Sequence, residues 1–289
     1  MKYSIKYILI ILLVFILLGK NLKKLNETFV DFYENENKFK VVVTTYNPGI
    51  YFLQKCLESI SRQRYRNFEV CVIDDASTKE TFDILNLLQE YNNKYGWKYK
   101  QREINIGPCG SRIEAIDILN PEDNDIIVLI DGDDELFDNY VFSKLNNIYN
   151  TDKPLITFGN YVKKTTTGAL AKYKSLSCKR IDLPNKIENK SFRDYEFHYS
   201  HLKTFKYKLY KNIDNKDLMK DGEYIRSATD AAIMIPMLEM AGDKIKCVDD
   251  VLYKYTSDHE ESIHYKRSGK NQQRENYKYI QGLERYDRL

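Results

Sequence analysis

Lys40-Val-Val-Val-Thr-Thr-Tyr46 runs directly into Asn47-Pro48-Gly49. A β-branched run closed by turn residues reads as a buried strand that stops abruptly. Downstream, Ile50 to Arg62 places Leu53, Cys56, Leu57 and Ile60 at helical spacing. The alternation then repeats: strand Phe68 to Asp74, helix Glu80 to Tyr91, short strand Trp97 to Arg102, helix Gly110 to Leu119, strand Ile126 to Asp131. Strands alternating with helices imply right-handed β-α-β crossovers. The runs VVV, VCVI and IIVLI are nearly unbroken apolar stretches, as in strands covered on both faces. The expectation is an α/β fold with a Rossmann-like, mostly parallel central sheet flanked by helices. Ligands of such sheets bind beyond the carboxyl ends of the strands.

Past a further strand from Leu155 to Val162 the alternation weakens. Lys163 to Phe192 reads as a polar excursion, His201 to Ile213 as helical, and Thr229 to Met240 as a well-buried helix that Pro236 kinks or splits. Upstream, Tyr7 to Leu18 is YILIILLVFILL, with Lys2 and Lys6 before it and Lys20, Lys23 and Lys24 after it. Its roughly 20 Å of helix falls short of the roughly 30 Å of a bilayer core unless the flanks take part. The favoured reading is an uncleaved, single-pass anchor of type II, ahead of a cleaved signal peptide and a buried helix. In a eukaryotic or virus-infected cell that would place the chain on a secretory-pathway membrane.

Charge is nearly balanced, with 45 Lys+Arg against 42 Asp+Glu in 289 residues, so no basic field argues for nucleic acid. A small polar ligand is the better expectation. The cysteines Cys56, Cys71, Cys109, Cys178 and Cys247 are widely spaced and odd in number, and are read as buried free thiols.

Chemistry gathers at three strand ends: Thr44-Thr45-Tyr46-Asn47, Asp74-Asp75-Ala76-Ser77 and Asp131-Gly132-Asp133-Asp134. Adjacent carboxylates at the end of a buried strand repel one another, and a divalent cation or bound hydroxyls would offset that cost. An Asp-x-Asp triplet suits a hard cation that also holds two phosphates.

The order VVVTTYN, VCVIDDAS, NIGPCGSR and VLIDGDDEL, from about Lys40 to Leu136, resembles family 2 glycosyltransferases of the GT-A fold. Ala228-Thr-Asp230 and Val251-Leu-Tyr-Lys-Tyr255 before His259 extend the resemblance more loosely. It implies Thr44 and Tyr46 at the base and ribose, Asp75 on a uracil edge and Arg112 beside the nucleotide. Asp131 would face the ribose or a metal-bound water. Asp133 would be a direct ligand of Mn²⁺ or Mg²⁺, with His259 closing over the phosphates or the metal. Asp230 would be the general base of an inverting transfer, with Asp221 and Glu239 as fallbacks. Many relatives carry an Arg where this chain has Tyr255-Thr256. His201-Leu-Lys-Thr-Phe-Lys206 resembles a basic helical stretch of some family members, which would bring Lys203 or Lys206 to phosphate.

The domain organisation expected is an anchor over 1–24 with its apolar core at 7–18, a stem over 25–36, and a GT-A domain over 37–265. That domain divides into a nucleotide-binding half (37–135) and an acceptor half (136–265), followed by a polar tail over 266–289. Its partners would be a nucleotide-diphospho-sugar, most simply a UDP-sugar, a glycan, protein or lipid hydroxyl acceptor, and a membrane through the N-terminus. Two other classes compete: a tethered nucleotide-sugar-binding module without turnover, and a phosphatase-type Asp-x-Asp hydrolase.

Overall fold

The computed structural model describes residues 36–289 apart from 176, 190, 195, 196 and 258–266. The expected anchor (1–24), the expected stem (25–36) up to residue 35, and His259 lie outside the described residues. Among the described residues no helix is long and apolar enough to cross a membrane.

Lys40 to Thr45 lie in strand β1 (Phe39–Thr45), every residue of it buried. Helix α1 (Ile50–Ser61) follows, then β2 (Phe68–Asp74), α2 (Thr81–Tyr95), β3 (Lys98–Gln101), α3 (Gly107–Leu119) and β4 (Ile126–Asp131). β1 lies between β2 and β4, parallel to both, and β3 adds in parallel beyond β2. Alternate β1 residues serve opposite cores: Val41 and Val43 pack with α1 and α2, and Val42 packs with α3. This is the period-2 consequence of covering both faces of a sheet.

The second half builds β5 (Glu135–Leu136), α4 (Val141–Thr151), β6 (Ile156–Lys164), β7 (Leu170–Lys174), α5 (Ser177–Arg180), α6 (Leu183–Glu188), β8 (Lys203–Lys206), α7 (Tyr207–Tyr210), a 3₁₀ turn (Asn215–Leu218), the hairpin β9 (Met219–Lys220) and β10 (Glu223–Tyr224), α8 (Thr229–Ala241), β11 (Ile245–Thr256) and α9 (Arg267–Gly282). The main sheet has nine strands among the described residues, in the order β3-β2-β1-β4-β8-β6-β11-β5 with β7 beside β6. β6 and β11 run parallel, but β8 is antiparallel to both β4 and β6, and β5 and β7 are antiparallel to their neighbours. The sheet is therefore mixed, which corrects the mostly parallel expectation. At the junction of its two halves the cause is one segment.

Of His201 to Ile213, expected to be helical, residues 203–206 instead form the strand that joins the two halves, and Tyr207–Tyr210 is helical. Leu202 and Phe205 lie three apart and imitate a helical face. What decides is Thr204, whose hydroxyl meets that of Thr157 on the neighbouring strand β6 (2.6 Å) and that of Tyr149 on helix α4 (2.8 Å). Helix α8 runs unbroken through Pro236 with all of 231–241 buried, so packing overrides the propensity penalty. The free-thiol expectation holds for Cys56, Cys71 and Cys109. It fails for Cys178 and Cys247, which form a disulfide with Cα atoms 5.6 Å apart, tying α5 to β11. Spacing of 69 residues gave no sign of the pairing.

Candidate functional site

β1, β2 and β4 end side by side because their registers match: Thr44 pairs with Asp131 on one side and Ile73 on the other, and Thr45 pairs with Asp74. The polar residues that follow each strand therefore share one edge of the sheet. Gly132 donates to the Thr44 carbonyl (2.9 Å), and the Asp134 N–H donates to the Asp131 carbonyl (3.0 Å), which folds the Asp131–Asp134 segment into a tight turn. A Cβ on Gly132 would lie 2.6 Å from Thr45 Cβ, so the residue between the two aspartates must be glycine.

β11 closes on this turn from the other side. The Tyr253 hydroxyl accepts from the Asp131 N–H (3.0 Å), the Thr256 N–H donates to Asp134 Oδ1 (2.7 Å), and the Thr256 hydroxyl donates to the Asp133 carbonyl (2.6 Å). Thr256 stands where relatives were expected to carry an arginine, and here it fastens the acidic turn.

Asp131 and Asp230 both meet Arg112. Its Nη2 donates to Asp131 Oδ1 (2.8 Å), and its Nη1 donates to Asp230 Oδ1 (2.8 Å) and to the Thr229 hydroxyl (3.0 Å). Lys203, at the start of β8, donates to Asp230 Oδ2 (2.6 Å). The cations are buried, with side chains 5% and 1% exposed, whereas each carboxylate is 31% exposed. Two cations thus form a floor beneath two anions that face the opening. Burial would raise the Asp230 pKa, but Lys203 and Arg112 overcome it and hold the group well below the ordinary carboxylate range. Asp131 is lowered for the same reason, Arg112 and Lys203 outweighing burial.

Asp134 behaves oppositely: burial, with Asp133 and Asp131 nearby, pushes its pKa well up. Its Oδ2 has no hydrogen-bond partner, and neither has His201 Nδ1. His201 is buried, stacked on Tyr253 with ring centroids 4.6 Å apart, and burial drives its pKa down to about 3. Asp131, Asp134 and His201 can bring one ligand atom each to within 4.8 Å of one another. Two carboxylates and a neutral imidazole, two of their atoms buried and unpartnered, suit a cation such as Mn²⁺. Asp133, the ligand expected from sequence, sits on the same turn.

At the nucleotide end, Asp75 is 3% exposed. Its carboxylate accepts from the N–H groups of Ile106 (3.0 Å) and Gly107 (2.8 Å), capping α3 from a distant strand. Asn47 reaches across to the same end, its Oδ1 accepting from the N–H groups of Thr78 and Lys79. Thr44 is buried, and Tyr46 is 47% exposed at the rim. Of the fallback bases, Glu239 is excluded: it is buried against Arg193 by two bonds (2.7 and 2.8 Å), and Arg193 in turn donates to the Ile280 carbonyl of α9 (2.6 Å). Asp221 lies exposed in the β9–β10 turn.

Sequence reasoning missed His201, Tyr253 and Thr256, and considered Lys203 only as a phosphate contact. The one available signal was a His-x-Lys pair in a segment whose Leu-x-x-Phe spacing read equally as helix.

A mixed α/β sheet with carboxylates converging at its strand ends places the chain among α/β proteins that bind ligands beyond the carboxyl ends of their strands. Residues 40–218, more than half of the chain, match the model of glycosyl transferase family 2, and the chain belongs to that family. It is similar to the poly(ribitol-phosphate) beta-N-acetylglucosaminyltransferase TarS of Staphylococcus aureus, 34% identical over 99 residues, covering 34% of this chain and 16% of TarS. It is 26% identical to the glycosyltransferase GlyG of Streptococcus pneumoniae over 219 residues, covering 74% of this chain and 69% of GlyG. This chain thus spans about a sixth of TarS and two thirds of GlyG. In fold it resembles S. aureus TarS 1–349 in complex with UDP-GlcNAc, with a TM-score of 0.58 at 23% identity over 78% of this chain and 60% of that one. It also resembles a mannosyltransferase of Pyrobaculum calidifontis in complex with GDP-Man and Mn²⁺, with a TM-score of 0.55 at 17% identity over 86% and 65%.

Proposed function

We propose that this chain transfers a sugar from a UDP-sugar to a hydroxyl acceptor on a glycan, protein or lipid, inverting the anomeric centre with the help of a divalent cation. The observation that carries the reading is the pair of half-exposed carboxylates, Asp131 and Asp230, held at the strand ends by buried Arg112 and Lys203. Family membership supports it, and gives no support to the phosphatase-type or turnover-free alternatives. The UDP-GlcNAc complex of TarS favours uridine; the GDP-Man complex of the mannosyltransferase makes guanosine the competitor.

In this reading uracil lies against the Asp75 carboxylate. Each of its oxygens accepts one N–H, the Arg102 Nε stands 3.6 Å from Oδ1, and a remaining lone-pair site would take the N3–H of the base. Tyr46 offers an exposed ring at the rim, and Thr44 lines the ribose. Asp131, Asp133, Asp134 and His201 are the residues that would hold the cation. When bound, it stabilises negative charge on the departing diphosphate.

Asp230 accepts the acceptor hydroxyl's hydrogen bond on its open side. Its low pKa keeps it ionised at neutral pH, so it takes the proton only once attack on the anomeric carbon has acidified the hydroxyl. Arg112 ties base and strand end to one guanidinium, fixing acceptor and donor sides relative to each other. Residues 1–24 would tether the catalytic unit to a membrane. A screen of UDP-, GDP- and CDP-sugars for hydrolysis and transfer, with and without chelator, tests this. Turnover of a UDP-sugar that chelator abolishes is expected, and turnover restricted to another nucleotide overturns the uridine assignment.

A further inference from the structure

Arg226 lies in the segment between β10 and α8, four residues before Asp230, and has no role in the chemistry above. Its side chain is 43% exposed. Both ends of its guanidinium are nonetheless committed to one residue across the site: Nη1 donates to Asn105 Oδ1 (2.9 Å) and Nη2 donates to the Asn105 carbonyl (3.0 Å). Asn105 in turn donates from its side-chain amide to the Asp75 carbonyl (2.8 Å). The next two N–H groups, of Ile106 and Gly107, hold the Asp75 carboxylate.

The stem of Arg226 also covers Gly107. That glycine has φ of 84°, and a Cβ added to it would sit 3.0 Å from Arg226 Cγ and 3.5 Å from Arg226 Cα. The 105–107 turn is therefore gripped on one side by Asp75 and on the other by Arg226. A bidentate guanidinium fixes orientation as well as distance, which a single hydrogen bond does not.

We propose that Arg226 is a positioning residue for nucleotide recognition: it locks the Asn105–Gly107 turn so that the Asp75 carboxylate presents its remaining lone pairs to the N3–H of uracil. This rests on the uridine reading of the site. Because Arg226 and Asp230 share one short segment, the clasp also ties the nucleotide end of the cleft to the base. Cytosine has a lone pair at N3 where uracil has a hydrogen, so a well-held carboxylate favours UDP and repels CDP. A carboxylate free to shift discriminates less.

The test is calorimetric titration of UDP and CDP, with Mn²⁺ present, into the wild-type full chain, Arg226→Ala and Arg226→Lys, beside donor kinetics. Arg226→Ala should weaken UDP binding roughly 5-fold to 30-fold, the worth of the lost charge-assisted bonds at a half-exposed site. It should weaken CDP binding less, narrowing the preference. KM for the donor should rise while kcat changes less than roughly threefold. Arg226→Lys, which supplies a point charge without the fork, should recover only part of the loss. Unchanged UDP affinity in Arg226→Ala, or equal weakening for both nucleotides, overturns the inference while leaving the uridine reading intact. Absence of any UDP preference in the wild-type protein overturns the uridine reading, and the inference falls with it.

Discussion

Replacing Asp230 by Asn separates two things that the structure joins. The carboxylate is the proposed base, and it is also the partner of Lys203 (2.6 Å) and of Arg112 (2.8 Å). Asparagine keeps the shape but leaves the 1%-exposed Lys203 without its carboxylate partner. Removing one partner of a buried ion pair costs ~3–5 kcal/mol. Asp230 is 31% exposed and Asp131 stays beside Arg112, which brings the expected cost to about 2–3 kcal/mol. For a domain of this size that is a fall in melting temperature of about 5–10 °C. Transfer should fall by roughly 100-fold to 10,000-fold through loss of the base. The double variant Asp230→Asn with Lys203→Met removes the stranded charge, so it should regain most of the stability and none of the transfer activity. Scanning calorimetry and acceptor-dependent turnover on the same samples read both. A double variant no more stable than the single one refutes the charge argument, and activity that returns with stability refutes the base.

Asp133→Ala should abolish metal-dependent donor binding in calorimetry, with Asp131→Ala less complete; unchanged metal dependence in the Asp133 variant would remove it from the cation site. The Cys178–Cys247 bond closes 69 residues, for which chain entropy gives about 4 kcal/mol. Reduction, or Cys178→Ser with Cys247→Ser, should therefore lower the melting temperature by more than roughly 8 °C, and an unchanged melting curve would contradict the pairing. Asp230 titrates well below the ordinary carboxylate range in the folded chain. Such a group stabilises fully above its unfolded pKa of about 3.9 and loses that contribution only as pH falls through its folded value. The stability difference between wild type and Asp230→Asn should hence stay constant from about pH 5 to 8, and a difference that shrinks on acidification across that range would contradict the ion pairing.

The first half of the fold was legible because each of its strands is local and two-faced: β2 and β4 fall at the residues that apolar runs marked. The second half was not, because β8 owes its conformation to partners far away in sequence. Thr204 is a strand residue only when Thr157 and Tyr149 stand opposite. The site divides similarly. Thr44, Asp75 and Asp131 share an edge through strand register, which alternation predicts, and Asp230 is brought to Asp131 by Arg112. His201, Lys203, Tyr253 and Thr256 arrive from β8 and β11, and no spacing connects them to Asp131. The disulfide belongs to the same class, since α5 meets β11 only through the folded sheet.

We propose Asp131, Asp230 and the turn between β4 and β5 as the site of a metal-dependent transfer from a UDP-sugar. The most direct test is release of the nucleoside diphosphate by the full chain from a panel of UDP-, GDP- and CDP-sugars, in Mn²⁺ and again in excess chelator. Release from a UDP-sugar that chelator stops and Mn²⁺ restores is the expected result. Release that proceeds equally well in chelator, or only from a GDP- or CDP-sugar, would contradict it.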